Sequence, residues 1–273
     1  MTRFISSLRR ELWECRWVYL APAVAAAVFT IGYFLSAFVL LRQLHSGVAL
    51  TVAERDAFTQ PFVMVEGLLM LAGLIVGVIY CLDALYGERR DRSVLFWKSM
   101  PVSDVVTVLA KASVPIVVLP LVIFVVTVIS QALMLLASWV VLSATGQAAT
   151  PVLSEFSLVS NSGALLFHLL AVHGLAAAPV FAWLLMVSAW APRAPFVWAV
   201  VPPVIVLFIE RMAFRTTHLA AQFLGTFTPG VAGAAGSDAM MEPMTAGAVA
   251  HFATSGGLWL GLAVTAAFLA AAA

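Results

Sequence analysis

Four residues with titratable side chains stand inside or at the end of long apolar runs of this sequence: Glu66, His168, His173 and Glu210. Such groups are costly in hydrocarbon, and inside a membrane they often serve proton transfer, ion binding or the passage of a transported molecule. Glu66 and His168 each lie five residues after the start of an apolar run. His173 lies deeper in the same run as His168, and Glu210 stands at the end of another run. We therefore predict that the four are candidates for a translocation path. The alternative is ordinary hydrogen bonding between helices or snorkelling to the membrane surface.

The two histidines are also potential ligands of a metal ion or a haem. Residues five apart on an α-helix point about 140° away from each other. This geometry predicts that His168 and His173 do not share an ion. Haem ligation by one of them remains an open alternative.

The motifs of most enzyme classes are missing from the sequence. The chain has only two lysines, Lys98 and Lys111, and neither follows a glycine, so no loop of the form G-x-x-x-x-G-K-[ST] can bind ATP phosphates. No H-E-x-x-H, G-x-S-x-G or paired-cysteine site is present. We predict no catalytic residue, no metal site and no cofactor in this chain. The net charge of +1 also argues against a nucleic-acid partner.

A polar, aromatic segment at 86–104, YGERRDRSVLFWKSMPVSD, interrupts the apolar sequence. Gly87 is a natural residue for ending a helix, and Pro101 blocks the continuation of another, which leaves room for a short helix of about three turns. Arginine and aromatic side chains, here including Phe96 and Trp97, are enriched at the energetically dominant positions of protein interfaces. The segment is therefore either a docking site for a partner or a basic topology signal with an aromatic membrane anchor.

The composition places these residues in a membrane protein. The chain is 63% hydrophobic and 10% charged, whereas soluble domains are about 45–50% apolar and about 25% charged. Its mean hydropathy is +1.06. A single soluble core cannot bury so much apolar sequence, so we predict an all-α integral membrane protein that forms one transmembrane domain over residues 1–273.

Six runs are candidates for membrane-spanning helices, since a crossing needs about 20 apolar residues. They lie at 17–41, 61–86, 104–143, 163–190, 195–209 and 248–273. Ser103 or Asp104 can cap the third helix. Residues 112–143 alone would extend about 48 Å against a hydrocarbon core of about 30 Å, so we expect a tilt, a projection or a bend at Pro115 and Pro120. Pro202-Pro203 predicts a broken or kinked fifth helix.

Basic residues set the expected orientation of these spans. With the N-terminus inside, ten of the fourteen lysines and arginines fall on the inner flanks. Both termini are then cytoplasmic, and Cys15 and Cys81 map to the reducing side as free thiols. Residues 4–16 place Ile5, Leu8, Leu12 and Cys15 on one helical stripe, which predicts a helix lying in the inner membrane interface.

Two further segments give less specific expectations. The outer segment 210–250 contains Pro229-Gly230 and a Gly/Ala-rich stretch, and it can form either short helices that re-enter the outer leaflet or a packed loop. The last run ends without a lysine or arginine to mark the inner interface. We therefore expect the native chain to continue into a cytoplasmic tail.

Residues 88–111, ERRDRSVLFWKSMPVSDVVTVLAK, resemble the cytoplasmic segment of type-2 ABC exporter permeases. That segment typically has an acidic residue after the second span, a Gly-Thr step, an apolar stretch, Pro-Val-Ser, and a lysine that enters the third span. The matching positions here are Glu88, Ser93, 94–96, 101–103 and Lys111, in register without a gap. This sequence departs from the pattern at Arg92, where glycine is usual, and at Trp97-Lys98, which replaces leucines. The six-span layout with cytoplasmic termini also resembles the family.

The resemblance implies the transmembrane subunit of a bacterial ABC transporter in the inner membrane. It implies a permease homodimer or pseudo-dimer and a separate cytoplasmic ABC ATPase, which binds ATP and Mg²⁺. The short helix after the second span would be the coupling helix that docks into this ATPase. The ATPase-coupling residues it implies are Glu88, Arg89, Arg90, Asp91, Arg92, Ser93, Phe96, Trp97, Pro101 and Ser103.

Uniformly apolar spans favour a lipophilic or amphipathic cargo that is extracted from membrane lipid. Two alternatives remain open at the level of sequence. One is a membrane-embedded haem or redox protein that uses a histidine of the fourth span. The other is a membrane partner of a signalling ATPase that transports nothing.

Overall fold

The computed structural model describes residues 2–43, 52–92, 103–144, 157–216 and 256–273. Throughout these ranges the regular structure is helical, and they contain no β-strand. The predicted all-α class is therefore confirmed. Residues 93–102 and 217–255 lie outside the described ranges, so the predicted coupling helix, the start of the sixth predicted span and most of the outer segment 210–250 stay predictions.

Ten α-helices and three π-helical segments make up the described structure. The α-helices are α1 (Thr2–Glu14), α2 (Trp17–Gln43), α3 (Val52–Ala84), α4 (Tyr86–Arg90), α5 (Asp104–Ser113), α6 (Leu119–Ala144), α7 (Leu158–His168), α8 (Ala178–Trp190), α9 (Pro195–Ile209) and α10 (Gly256–Ala272). The π segments are π1 (Val114–Val118), π2 (Leu169–Ala176) and π3 (Glu210–Phe214).

Five helical stretches are long and apolar enough to cross a membrane: Trp17–Val39, Phe58–Arg90, Asp104–Ala144, Leu158–Ala176 and Pro195–Ala213. Two shorter apolar helices are Ala178–Trp190 and Leu258–Ala272. Together they define a multi-pass helical membrane protein.

The first two helices follow the sequence prediction closely, while the second span differs at both ends. α1 ends at Glu14, and α2 begins at Trp17 as predicted. α3 already begins at Val52, so Pro61 lies inside the helix and does not start it. The prediction that Gly87 ends this helix is wrong: α3 ends at Ala84, and Gly87 lies within the short α4.

The third run forms one helical stretch whose irregular turn coincides with the prolines. π1 contains Pro115, and Pro120 occupies the second position of α6. Because Pro120 has no N–H, the carbonyl of Ile116 loses its α-helical donor. That carbonyl lies against Gly174 of π2, where an added Cβ would be only 2.5 Å from Ile116 O. The irregular turns of the two helices therefore pack backbone to backbone.

Of the predicted alternatives for the fifth helix, a break or a kink, the break does not occur. α9 runs without interruption through Pro202 and Pro203. Pro203 has no backbone N–H, so it cannot donate the usual helical hydrogen bond to the carbonyl of Ala199. The indole N–H of Trp183 on α8 donates to that oxygen instead, at 3.2 Å. A neighbouring helix thus satisfies the freed carbonyl, which is how membrane helices tolerate proline.

The helical core is built around α3, which packs on α2, α6 and α8, while α2 also packs on α6 and α8 on α10. Tyr80 and Leu69 of α3 pack with Ile123 and Leu185 as part of one buried core. Hydrogen bonds reinforce two of these packed pairs, α2 with α6 and α8 with α10. The hydroxyls of Tyr33 and Ser138 are 2.5 Å apart, and the Trp190 indole donates to Ala271 O at 3.0 Å.

Candidate functional site

A buried ion-pair cluster joins the N-terminal helix to the segment that follows α3. The Lys111 ammonium lies 2.9 and 3.1 Å from the two carboxylate oxygens of Glu11 and 3.1 Å from Oε1 of Glu88. The Tyr80 hydroxyl donates a further hydrogen bond to Glu11 at 2.8 Å. We call these four residues the Lys111 cluster. It holds together side chains from α1, α3, α4 and α5.

Burial makes this cluster energetically important. The side chains of Lys111 and Glu11 are 2% and 3% exposed, and that of Glu88 is 16% exposed. A charge removed from water is costly unless it is paired and hydrogen-bonded, and removal of one partner typically costs about 3–5 kcal/mol. The cluster therefore fixes the relative positions of its helices, although a buried ion pair need not add net stability compared with an apolar core.

The same region is a candidate cation site by composition. Carboxylate oxygens of Glu11, Glu14 and Glu88 lie within 4.8 Å of one another. The Lys111 ammonium already binds two of these three carboxylates, so it supplies the positive charge that a metal ion would provide. Glu14 is at the edge of the group, 3.8 Å from Arg10, and partial burial raises the pKa of its carboxyl above the usual value.

A second set of contacts fixes the start of α4 to the end of α8. The buried Ser188 hydroxyl accepts hydrogen bonds from the backbone N–H groups of Leu85 and Tyr86 at 3.1 and 2.9 Å, and it donates to Leu82 O at 2.9 Å. These contacts explain why α3 stops before Gly87, since the serine satisfies the amides at the break.

Arg89 reinforces the connection between α4 and α8. Its Nη2 donates to the carbonyls of Ser188 and Ala191 at 2.8 and 2.7 Å. Both oxygens belong to the C-terminal end of α8, where a cation also interacts favourably with the helix dipole. α4 is thus held on one side by the Lys111 cluster and on the other by α8.

The remaining predicted coupling residues differ in their surroundings. Arg90 and Asp91 are exposed and form an ion pair at 3.2 Å. Arg92 is exposed and has φ of 57°, in the left-handed region that favours glycine. Ser103 caps α5 by accepting from Val106 N at 3.4 Å, as predicted. The predicted residues outside the described ranges are Ser93, Phe96, Trp97 and Pro101.

Of the translocation-path candidates, the structure brings His168 and His173 together. Their ring centroids are 5.4 Å apart, so the prediction that they face different directions is wrong. The helix changes to π winding at Leu169, where the hydrogen-bonded turn includes five residues, so residues five apart come onto the same face. The other two have partners outside this set: Glu66 accepts from Asn161 Nδ2 at 3.4 Å, and Glu210 accepts from Thr216 at 3.1 Å.

Sequence reasoning missed Glu11, Tyr80 and Ser188. For Glu11 a signal was present, because it falls between Leu8 and Cys15 on the helix face that packs against the core. The buried face of α1 includes Ser7 and Glu11, while Ile5, predicted on the apolar stripe, is 61% exposed. Tyr80 and Ser188 carry no local signal, since their partners come from distant parts of the chain.

Both cysteines are free thiols, as predicted. The reactivity of Cys15 reports how closely the end of α1 packs against the helical core. Burial, together with the nearby carboxylate of Glu11, raises the pKa of the Cys15 thiol to about 11. At pH 8 the thiolate fraction of Cys15 is then roughly 200-fold below that of an ordinary cysteine. A thiolate of higher pKa is a stronger nucleophile, but this raises the reaction rate only about tenfold. We expect alkylation of Cys15 by iodoacetamide to be at least about tenfold slower than that of an exposed thiol.

The matched control is Ser6→Cys in a Cys15→Ser background, because Ser6 is exposed on α1, the helix that immediately precedes Cys15. Mass spectrometry of the folded protein follows both reactions over time. Equal rates for the two thiols would show that Cys15 does not pack against the helical core.

Comparison of the chain with protein-family models, with curated protein sequences and with solved structures gives no match in any of the three. The resemblance to type-2 ABC exporter permeases therefore depends on the sequence of this chain alone.

Proposed function

We propose that this chain is the membrane-spanning permease subunit of an ATP-driven exporter. A separate cytoplasmic ATPase, which binds ATP and Mg²⁺, would supply the energy, because this sequence has no phosphate-binding loop. The observation that carries the proposal is the setting of α4. Glu88 and Arg89 contact the helical bundle through an ion pair and hydrogen bonds, while the exposed residues that follow, Arg90 and Asp91, pair with each other.

This arrangement suits the transmission of force from a partner to several helices at once. A partner that moves the segment after α4 acts on α5 and α1 through the Lys111 cluster, and on α8 through Arg89 and Ser188. Buried, directional contacts transmit such a displacement because they have few alternative arrangements. Phe96 and Trp97 supply the aromatic contacts in this proposal.

The proposed topology has six crossings with both termini in the cytoplasm of a bacterium. Residues 158–190 count as one crossing because backbone hydrogen bonds continue through Ala177: its N–H donates to Val172 O at 3.1 Å, and its carbonyl accepts from Phe181 N at 3.2 Å. α10 is the sixth crossing. The distribution of lysine and arginine supports this orientation in the inner membrane.

The proposed complex contains two permease subunits, as a homodimer or pseudo-dimer, and the cargo is lipophilic or amphipathic. The outward-facing surfaces of the long helices are apolar, as the exposed Val28, Leu35, Ile75, Val125 and Ile129 illustrate. A cargo drawn from the lipid phase is compatible with this surface. Glu66 and Glu210 remain candidates for contact with its polar group.

The proposal is tested by co-purification of the full chain with its ATPase from membranes that contain both. We expect Arg90→Glu to reduce recovery of the ATPase at least about fivefold, since it reverses an exposed charge in the coupling segment. Arg193→Glu is the matched control: it makes the same change at an exposed residue between α8 and α9. Equal loss in both variants, or loss in neither, would contradict the proposed role of the segment.

A further inference from the structure

The paired imidazoles of π2 have the spacing of two ligands of one metal ion. The ring centroids of His168 and His173 are 5.4 Å apart, and their planes are tilted by 53°. An ion bound about 2.0–2.1 Å from one nitrogen of each ring, with a tetrahedral angle between the two bonds, places the centroids roughly 5 Å apart. The observed separation is therefore close to that of two imidazole rings that share an ion.

The hydrogen-bonding state of the pair also points to a ligand. Nδ1 of His173 is buried and has no hydrogen-bond partner. A buried polar atom without a partner is costly, and in native proteins it commonly marks a bound water or ion that completes its interactions. A metal ion between the two rings would use such a nitrogen.

We propose that His168 and His173 form a binding site for one divalent transition-metal ion of the zinc type. Imidazole nitrogen is a preferred ligand of zinc, cobalt, nickel and copper, whereas calcium and magnesium prefer oxygen. The two histidines supply two ligands, and water or another small donor occupies the remaining positions. This site goes beyond the proposed export function and does not depend on it.

The winding of the helix decides whether the site exists. In an α-helix the two side chains would point about 140° apart and could not share an ion. The ion therefore binds only the π-wound form and stabilises it relative to an α-wound alternative. Gly174, which follows His173 directly, packs against Ile116 O, so the stabilised form is the one in which π2 contacts π1.

The site is tested with the full chain, purified with a tag that contains no histidine and stripped of metal. Cobalt(II) is the probe, because its visible absorption reports imidazole coordination, and zinc(II) then competes with it. The variants are His168→Gln and His173→Gln, which keep a polar side chain but remove a good ligand. The matched control replaces the other three histidines, His45, His218 and His251, with glutamine. Tryptophan fluorescence melting verifies that each variant is folded.

We expect the wild-type chain and the triple control to bind one cobalt ion that zinc displaces. Each variant of the pair should bind at least about tenfold more weakly, and zinc should raise the melting temperature of the wild type but not of these variants. Cobalt binding that is unchanged in both variants of the pair, or absent from the wild type, would overturn the proposal. The measurement needs no ATPase, so its failure would leave the proposed export function unaffected.

Discussion

Replacement of Lys111 with methionine is expected to destabilise the protein by about 3–5 kcal/mol. The change keeps an unbranched side chain of similar length but leaves the carboxylates of Glu11 and Glu88 close together without their shared cation. Burial prevents water from compensating fully for the lost ammonium. Thermal melting in detergent or in lipid nanodiscs, followed by tryptophan fluorescence, measures the loss.

Two variants separate the loss of this cation from a general effect of substitution. Arg90→Met also removes a basic charge, but from an exposed ion pair, so we expect no measurable change in the melting temperature. The double variant Lys111→Met/Glu11→Gln also removes one of the two unpaired carboxylates. It should therefore be more stable than Lys111→Met alone. A Lys111→Met protein that melts like the wild type would show that the cluster is solvated and does not connect the helices.

Substitution of Gly174 by alanine is expected to destabilise the protein at the contact between π1 and π2. Its Cβ would lie 2.5 Å from the carbonyl oxygen of Ile116, and this neighbour is backbone, which cannot rotate away as a side chain can. The helices must separate at the contact between π1 and π2, at a cost of about 1–3 kcal/mol. The same melting experiment measures this loss.

Gly163 provides a control in the same run of sequence. A Cβ added there meets no atom within 4 Å, so Gly163→Ala should be neutral or stabilise the protein by about 0.5–1 kcal/mol through helix propensity. If the two alanine variants were equally stable, the close approach of Gly174 to Ile116 would not exist in the folded protein.

The sequence predicts the helices well where local composition decides the structure. Apolar runs longer than a membrane crossing give α2, α3 and the stretch Asp104–Ala144, because an apolar segment in lipid must satisfy its backbone internally. Ser103 at the start of α5 is a local capping signal, and the structure confirms it. Helix propensity and side-chain type determine these features without reference to distant residues.

The sequence fails where distant contacts decide the local geometry. Gly87 was expected to end a helix, but the hydroxyl of Ser188, about a hundred residues away, sets the break at Ala84. Pro202-Pro203 was expected to break or kink α9, and the helix is unbroken because Trp183 satisfies the carbonyl that Pro203 frees. Neither partner can be identified from the local pattern.

Helix winding is the other source of error, and it affects the candidate site directly. The predicted directions of His168 and His173 assume regular α winding. The π winding of π2 instead brings the two side chains onto the same face of the helix. A single π turn has no recognisable composition in this chain. The ion pair between Glu88 and Lys111 was likewise not predicted, because its two residues come from different helices.

The central claim is that an ATPase drives this chain through the segment that follows α4. The most direct test is the ATP turnover of the partner ATPase, reconstituted in nanodiscs with the wild-type chain or with its Trp97→Ala variant. We expect the wild-type chain to stimulate turnover and the variant to lose most of that stimulation while it melts at the wild-type temperature. Equal turnover with the wild-type chain, with Trp97→Ala and without any permease would contradict the claim.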